Sequence, residues 1–117
     1  MEDTLKNKIE GLTALIEDHK GGDVKVLSVE GKCSWTDSMI IATISSQTHG
    51  NGVRREIRTW LTENGYTTYS TGNSQKNDTW ILMDCGDVVI NLMTAEAREF
   101  YQLEDLWFEA EVLHGEK

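Results

Sequence analysis

The chain has 117 residues, 38% of them apolar with four tryptophans, and a formal net charge of −9. A chain of that length makes one domain, residues 1–117, that buries roughly two thirds of its unfolded surface, so it needs no metal or disulfide staple to fold. Its acidity excludes nucleic-acid binding through the overall field and favours a basic partner, and the absence of a run of about 18 apolar residues excludes a membrane-spanning helix. Met1-Glu2-Asp3-Thr4 opens neither a signal peptide nor an Arg-rich transit peptide, so cytoplasmic residence is expected.

From Thr4 to about Lys20, Leu5, Ile9, Leu12 and Ile16 recur at helical spacing, with Asp3 or Thr4 to cap the start and Gly21-Gly22 to end it. Val24 to Glu30 partly alternates and predicts a strand with one face partly wet, near an edge. Gly31 to Asp37 is a turn, and Ser38 to Ser45 is a second, more buried strand antiparallel to the first. Ser46 to Gly52 is a polar loop. A second helix begins at Val53 with Val53, Ile57, Trp60 and Leu61 on its apolar stripe, Asn51 as cap and Asn64-Gly65 as stop. Arg54, Arg55 and Arg58 lie off that stripe, facing solvent or a partner. Tyr66 to Ser70 is a short strand, and Thr71 to Asp78 is a polar loop.

Trp80 to Met93 holds two apolar runs around Asp84-Cys85-Gly86-Asp87, which is turn chemistry. This predicts a β-hairpin at the centre of a sheet covered on both faces. Thr94 caps a final helix from Ala95. Ala97, Tyr101 and Glu104 share one of its faces, and Phe100, Leu103 and Trp107 share another. Beyond Phe108 the acidic tail, about residues 109–117, is expected to fray. The order α-β-β-α-β-β-β-α gives an α/β (α+β) class with a mixed five-stranded sheet and helices packed on it. There is no internal repeat and no proline.

The chemistry is sparse. Asp84 and Asp87 offer a pair of carboxylates, which read first as turn-stabilising residues and second as a cation site. Thr36-Asp37 caps its loop or holds a ligand. Gly50-Asn51-Gly52 before a helix is a weak phosphate cradle. No G-x-S-x-G and no phosphate-binding loop occurs. Cys33 and Cys85 read as reduced thiols, and His19, His49 and His114 as surface or loop residues in no metal-binding pattern. No catalytic residue, metal or cofactor is therefore expected, nor DNA or membrane as a partner. From composition and spacing alone the chain is a small soluble α/β domain, an interaction module.

Several segments add a resemblance. Asp23-Val24-Lys25-Val26-Leu27 and Thr36-Asp37-Ser38-Met39-Ile40-Ile41 are followed by Trp80-Ile81-Leu82-Met83-Asp84-Cys85-Gly86-Asp87-Val88-Val89-Ile90. Last comes Arg98-Glu99-Phe100-Tyr101-Gln102-Leu103-Glu104-Asp105-Leu106-Trp107. Together, over about residues 5 to 110, they resemble the ribosomal silencing factor family (RsfS, Iojap). The W-x-L-x-D-x-G-D-V-V hairpin with a Tyr-x-Leu-Glu-x-Leu-Trp ending is the specific part.

The resemblance implies a nucleotidyltransferase-like fold without catalytic activity, often a homodimer. It implies binding to the large ribosomal subunit through ribosomal protein fourteen, which hinders small-subunit joining and represses translation. By carry-over, Trp80, Met83, Asp84, Asp87, Arg98, Tyr101, Leu103, Glu104 and Trp107 form the ribosome-facing set or its immediate support. Trp80, Met83 and Tyr101 would be apolar anchors, and Asp84, Asp87 and Glu104 would pair with basic residues of the partner. Leu103 and Trp107 are the members closest to a core role.

The chain departs from the family pattern at Cys85, commonly Tyr, and at Asn91, commonly His. It also departs at Thr43-Ile44-Ser45-Ser46, which lacks a glycine, and at Arg54, Arg55 and Arg58, commonly small or apolar. Contact of that arginine helix with ribosomal RNA is left open. The competing readings are a nucleotidyl-transferring enzyme and a structural or ribosome-assembly protein that dimerises through the hairpin.

Overall fold

The computed structural model describes residues 3–29, 36–66, 70–74, 77–101 and 111–114. The elements are α1 (Asp3–Asp18), β1 (Gly22–Ser28), β2 (Ser38–Ile44), α2 (Gln47–Glu63), β3 (Ser70–Ser74), β4 (Asn77–Asp84), β5 (Val88–Thr94), α3 (Ala95–Tyr101) and β6 (Glu111–His114). The strands form one mixed sheet in the order β3-β4-β5-β2-β1-β6. Its centre is the four-stranded block β4-β5-β2-β1, with the short β3 and β6 added at the two edges. Among the described pairs only β2 and β5 run parallel, with α2, β3 and β4 between them in the chain.

Each part of the fold follows from its side chains. Leu5, Ile9, Leu12 and Ile16 of α1 are buried, as their spacing predicts. With Val53, Ile57 and Leu61 of α2 they cover one face of the sheet, against Val26, Ile40, Ile81, Met83, Ile90 and Leu92. Residues 88–93 of β5 are buried without a break, because the strand lies inside the sheet and carries side chains into both faces. The opposite face holds a smaller cluster of Leu27, Val29, Met39, Ile41, Met93 and Ala97.

Four expectations are corrected. The sheet has six strands among the described residues, not five, because Glu111–His114 pairs with β1. Those four residues lie in the tail expected to fray; Val112 and Leu113 among them give it β-propensity that its carboxylates mask. The third strand is Ser70–Ser74, not Tyr66 to Ser70, and the expected polar loop supplies most of β3 and the start of β4. Backbone pairing outweighs the low β-propensity of Gly72 and Asn73 there. Finally, α2 begins at Gln47 and not at Val53. Ser46 is its cap, with the Ser46 hydroxyl accepting from the His49 N–H at 3.1 Å.

That last shift removes the proposed phosphate cradle, because Gly50, Asn51 and Gly52 lie inside the helix. Gly50 is buried there. A Cβ on it would stand 2.5 Å from Ile44 Cδ1 and 2.8 Å from Ile81 Cδ1, so its role is to bring α2 close to the sheet. His49 is correspondingly a helix residue. Its Nδ1 accepts from the Ser45 N–H at 2.9 Å, which leaves Nε2–H to donate to the His19 carbonyl at 2.8 Å and ties α2 to the end of α1.

Candidate functional site

The hairpin turn is built as its composition predicts. Gly86 takes φ +85°, which a residue with a side chain rarely adopts. The Asp84 carboxylate accepts from the Gly86 N–H at 2.9 Å, and the Cys85 N–H bonds the Val88 carbonyl at 2.9 Å. The Asp87 carbonyl accepts from the N–H groups of Asp37 and Ser38, so the loop before β2 is pinned to the same turn. From below, the buried Lys8 ammonium donates to the Cys85 carbonyl at 2.9 Å and to Asp87 Oδ1 at 2.8 Å, with the Tyr66 ring 4.9 Å away. Both carboxylates thus serve the turn. The Cys85 thiol is buried in the same place, and burial pushes it up to about 11.

Side chains alternate across β4. Ile81 and Met83 point into the core beneath α1 and α2, where both are wholly buried. Trp80, Leu82 and Asp84 point to the other face and are half-buried. Trp80 packs on the smaller cluster, and its indole N–H donates to Asn91 Oδ1 at 3.0 Å. Trp80 stands opposite Met93, Leu82 opposite Asn91, and Asp84 opposite Val89.

Next to this face sits α3, packed on β5, β2 and β4. Thr94 caps it, accepting from the Ala97 N–H at 3.2 Å. Ala97 enters the cluster, while Ala95, Glu96, Glu99 and Phe100 face solvent. Phe100 is 78% exposed, the one exposed large hydrophobic side chain among the described residues. Arg98 turns inward and is buried. Its Nη1 donates to the Asp23 carbonyl at 2.7 Å and to the Thr43 hydroxyl at 2.9 Å, and Nη2 lies 3.7 Å from the Asp23 carboxylate. The clamp holds Asp23 in its left-handed conformation, φ +43°.

Trp80 and Asp84 on β4 and Glu96, Glu99 and Phe100 on α3 thus bring aromatic rings and carboxylates to the α3 side of the sheet. Desolvated aromatics with a charged rim are the composition of a protein-binding patch, and these carboxylates fit a basic partner. The comparison with known proteins decides what kind of protein carries it. The sequence model described as "Ribosomal silencing factor during starvation" matches residues 2–117.

The chain belongs to the ribosomal silencing factor family. It is 36% identical over 99 residues to the ribosomal silencing factor RsfS of Haemophilus influenzae, spanning 85% of this chain and 96% of that protein. It is 38% identical over 96 residues to the chloroplastic protein Iojap of Arabidopsis thaliana, spanning 82% of this chain and 40% of that protein. A crystal structure of a Chromobacterium violaceum protein superposes with a TM-score of 0.84 at 27% identity, covering 100% of this chain and 90% of that one. A Bacillus halodurans structure shares the fold, with a TM-score of 0.79 at 22% identity over 93% of this chain and 98% of that one.

The structure divides the expected site residues. Trp80 and Asp84 share the patch face. Met83 does not: it is wholly buried on the other side of β4, so it supports the sheet and cannot be a surface anchor, because a one-residue step along a strand reverses the side chain. Arg98 is an internal clamp, and Asp87 is engaged by Lys8 with its carboxylate still 42% exposed. Tyr101 ends α3. Leu103, Glu104 and Trp107 lie outside the described residues. Sequence reasoning passed over Lys8 and Leu82 and left Phe100 out of the site. Lys8 was findable, since it falls on the Leu5–Leu12 stripe where a charge must have a buried partner.

Proposed function

We propose that this silencing factor acts in the cytoplasm by binding the large ribosomal subunit through ribosomal protein fourteen. Seated there, it sterically blocks joining of the small subunit and so represses translation. The whole-length family match carries this reading. The patch of Trp80, Leu82, Asp84 and Phe100 supplies the docking surface. Trp80 and Phe100 are its apolar anchors, and Asp84, Glu96 and Glu99 face basic side chains of the partner. Charge complementarity of this kind speeds encounter and sets register more than it adds affinity. The proposal keeps Tyr101, Leu103, Glu104 and Trp107 as binding residues on the family resemblance alone.

Co-sedimentation with isolated large subunits tests it. Trp80→Ala and Phe100→Ala should each weaken binding by about 2 kcal/mol, as truncation of an interface hot spot does. Phe100 is the cleaner probe because its side chain is mostly in solvent, whereas Trp80 also supports the cluster and Asn91. Undiminished binding of Phe100→Ala would remove the patch from the proposal.

The competing readings fare less well. Nucleotidyl transfer needs carboxylates free to hold Mg²⁺ and triphosphate. Asp84 is held by the Gly86 N–H and Asp87 by Lys8. A homodimer formed by edge-to-edge pairing of the hairpin is barred, since β4 and β5 each already have two strand neighbours.

A further inference from the structure

Three of the chain's four arginines, Arg54, Arg55 and Arg58, stand on α2. With Asn51, Thr59 and Thr62 they follow one another in steps of three and one, a single stripe along about 16 Å of helix. They line a groove of about 630 Å³, with Glu63 as the one carboxylate on its rim among the described residues. The stripe is opposite the buried Val53, Ile57 and Leu61. Arg55 and Arg58 are exposed and Arg54 is half-buried.

Among the described residues, the ion pairs are Lys8–Asp87, His19–Glu56 and Arg98–Asp23, and none of the three arginines joins one. Glu56, on the same helix, turns to His19 at 3.8 Å. The chain has 20 acidic residues against 11 basic ones, yet among the described residues only Glu63 borders this groove. Arg54 and Arg58 are four residues apart, and Arg55 and Arg58 three, so the like charges repel one another on the helix surface. An acidic protein that concentrates uncompensated guanidinium groups here directs them at an external polyanion.

We propose that this stripe docks on the phosphate backbone of RNA on the large subunit. The inference rests on the ribosome-binding reading and adds a second surface, on the side of the sheet away from the aromatic patch. Guanidinium forks suit phosphate oxygens bidentately, and the interleaved Thr and Asn side chains are the neutral donors that accompany such contacts. The contact is local and short-ranged, since the net charge of −9 repels RNA elsewhere.

The test measures binding of the full chain to purified large subunits over a range of salt, for the wild type, Phe100→Ala and the triple variant Arg54→Gln, Arg55→Gln, Arg58→Gln. The substitutions relieve repulsion on an exposed helix face, so the variant folds. The expected result is a tenfold or greater loss of affinity at low salt. The slope of log K against log salt should become shallower by about 2 to 3 for the triple variant and stay unchanged for Phe100→Ala. Equal affinity and slope for wild type and triple variant overturn the stripe and leave the ribosome reading standing. A wild type that fails to bind at every salt overturns both. A photo-crosslinker at Thr59 separates the partners: capture of ribosomal RNA supports the inference, and capture of a protein alone overturns it.

Discussion

The Lys8 ammonium lies 2.8 Å from Asp87 Oδ1, joining residues 79 apart in sequence and fastening α1 to the hairpin turn. The Lys8 side chain is 6% exposed and that of Asp87 is 42%, so the lysine bears most of the desolvation. Removing the lysine strands the Cys85 carbonyl as well. Lys8→Ala is therefore expected to cost about 2–3 kcal/mol, the value of hydrogen bonds to a charged group plus a buried acceptor left unmade. Asp87→Asn, which keeps an acceptor, should cost about 1 kcal/mol. Urea unfolding checks both, and equal costs would show that the Cys85 carbonyl contributes nothing.

Gly11 is the point where α1 meets α2. A Cβ there would overlap the Trp60 ring, reaching Cη2 at 2.8 Å, and that ring is stacked on Tyr66 at 5.7 Å between centroids. Helix propensity alone favours Gly11→Ala by about 1 kcal/mol. Overpacking a seated indole costs about 1–3 kcal/mol, so the net effect is a loss of stability. Thermal unfolding should show a lower Tm for Gly11→Ala and partial recovery when Trp60→Leu is added.

The Cys85 thiol gives a pH dependence. Burial raises it from 9.0 to about 11, with Asp84 and Asp87 adding to the shift and the Lys8 ammonium opposing it. The folded protein therefore holds this proton more tightly than the unfolded chain. The associated stability is fully present below pH 9.0 and is lost as pH rises toward 11, about 3 kcal/mol in all. Cys85→Ser should flatten the alkaline limb of a stability–pH curve. In a Cys33→Ser background, iodoacetamide at pH 8 should leave the native protein unmodified and alkylate it readily in urea.

Arg98 and Phe100 lie two residues apart on α3 and should separate folding from binding. Arg98→Ala removes the clamp on Asp23 and Thr43 and is expected to cost about 2–4 kcal/mol of stability. Phe100→Ala should change stability by less than about 0.5 kcal/mol while weakening attachment to the large subunit. A Phe100→Ala protein that unfolds as readily as Arg98→Ala would show that the ring serves the fold.

Much of this architecture is legible in the residues themselves. The spacing of Leu5, Ile9, Leu12 and Ile16, the apolar runs beside Gly86 and the capping hydroxyl of Thr94 are local signals, and each formed the element it predicts. What escaped was set by tertiary contact. Gly50 and Gly52 argue against helix, yet α2 begins before them because Gly50 lets it approach Ile44 and Ile81. Glu111–His114 reads as tail until β1 supplies a partner. The split of Trp80 and Asp84 from Met83 follows from strand alternation once β4 is placed, whereas the inward turn of Arg98 depends on where β1 begins.

The most direct test of the account is reassociation of purified ribosomal subunits, followed by light scattering, with the protein added in excess to the large subunit beforehand. The account predicts that joining is suppressed, and that the suppression weakens with Phe100→Ala. Full association at saturating protein would contradict it, leaving the family and fold but not the occlusion.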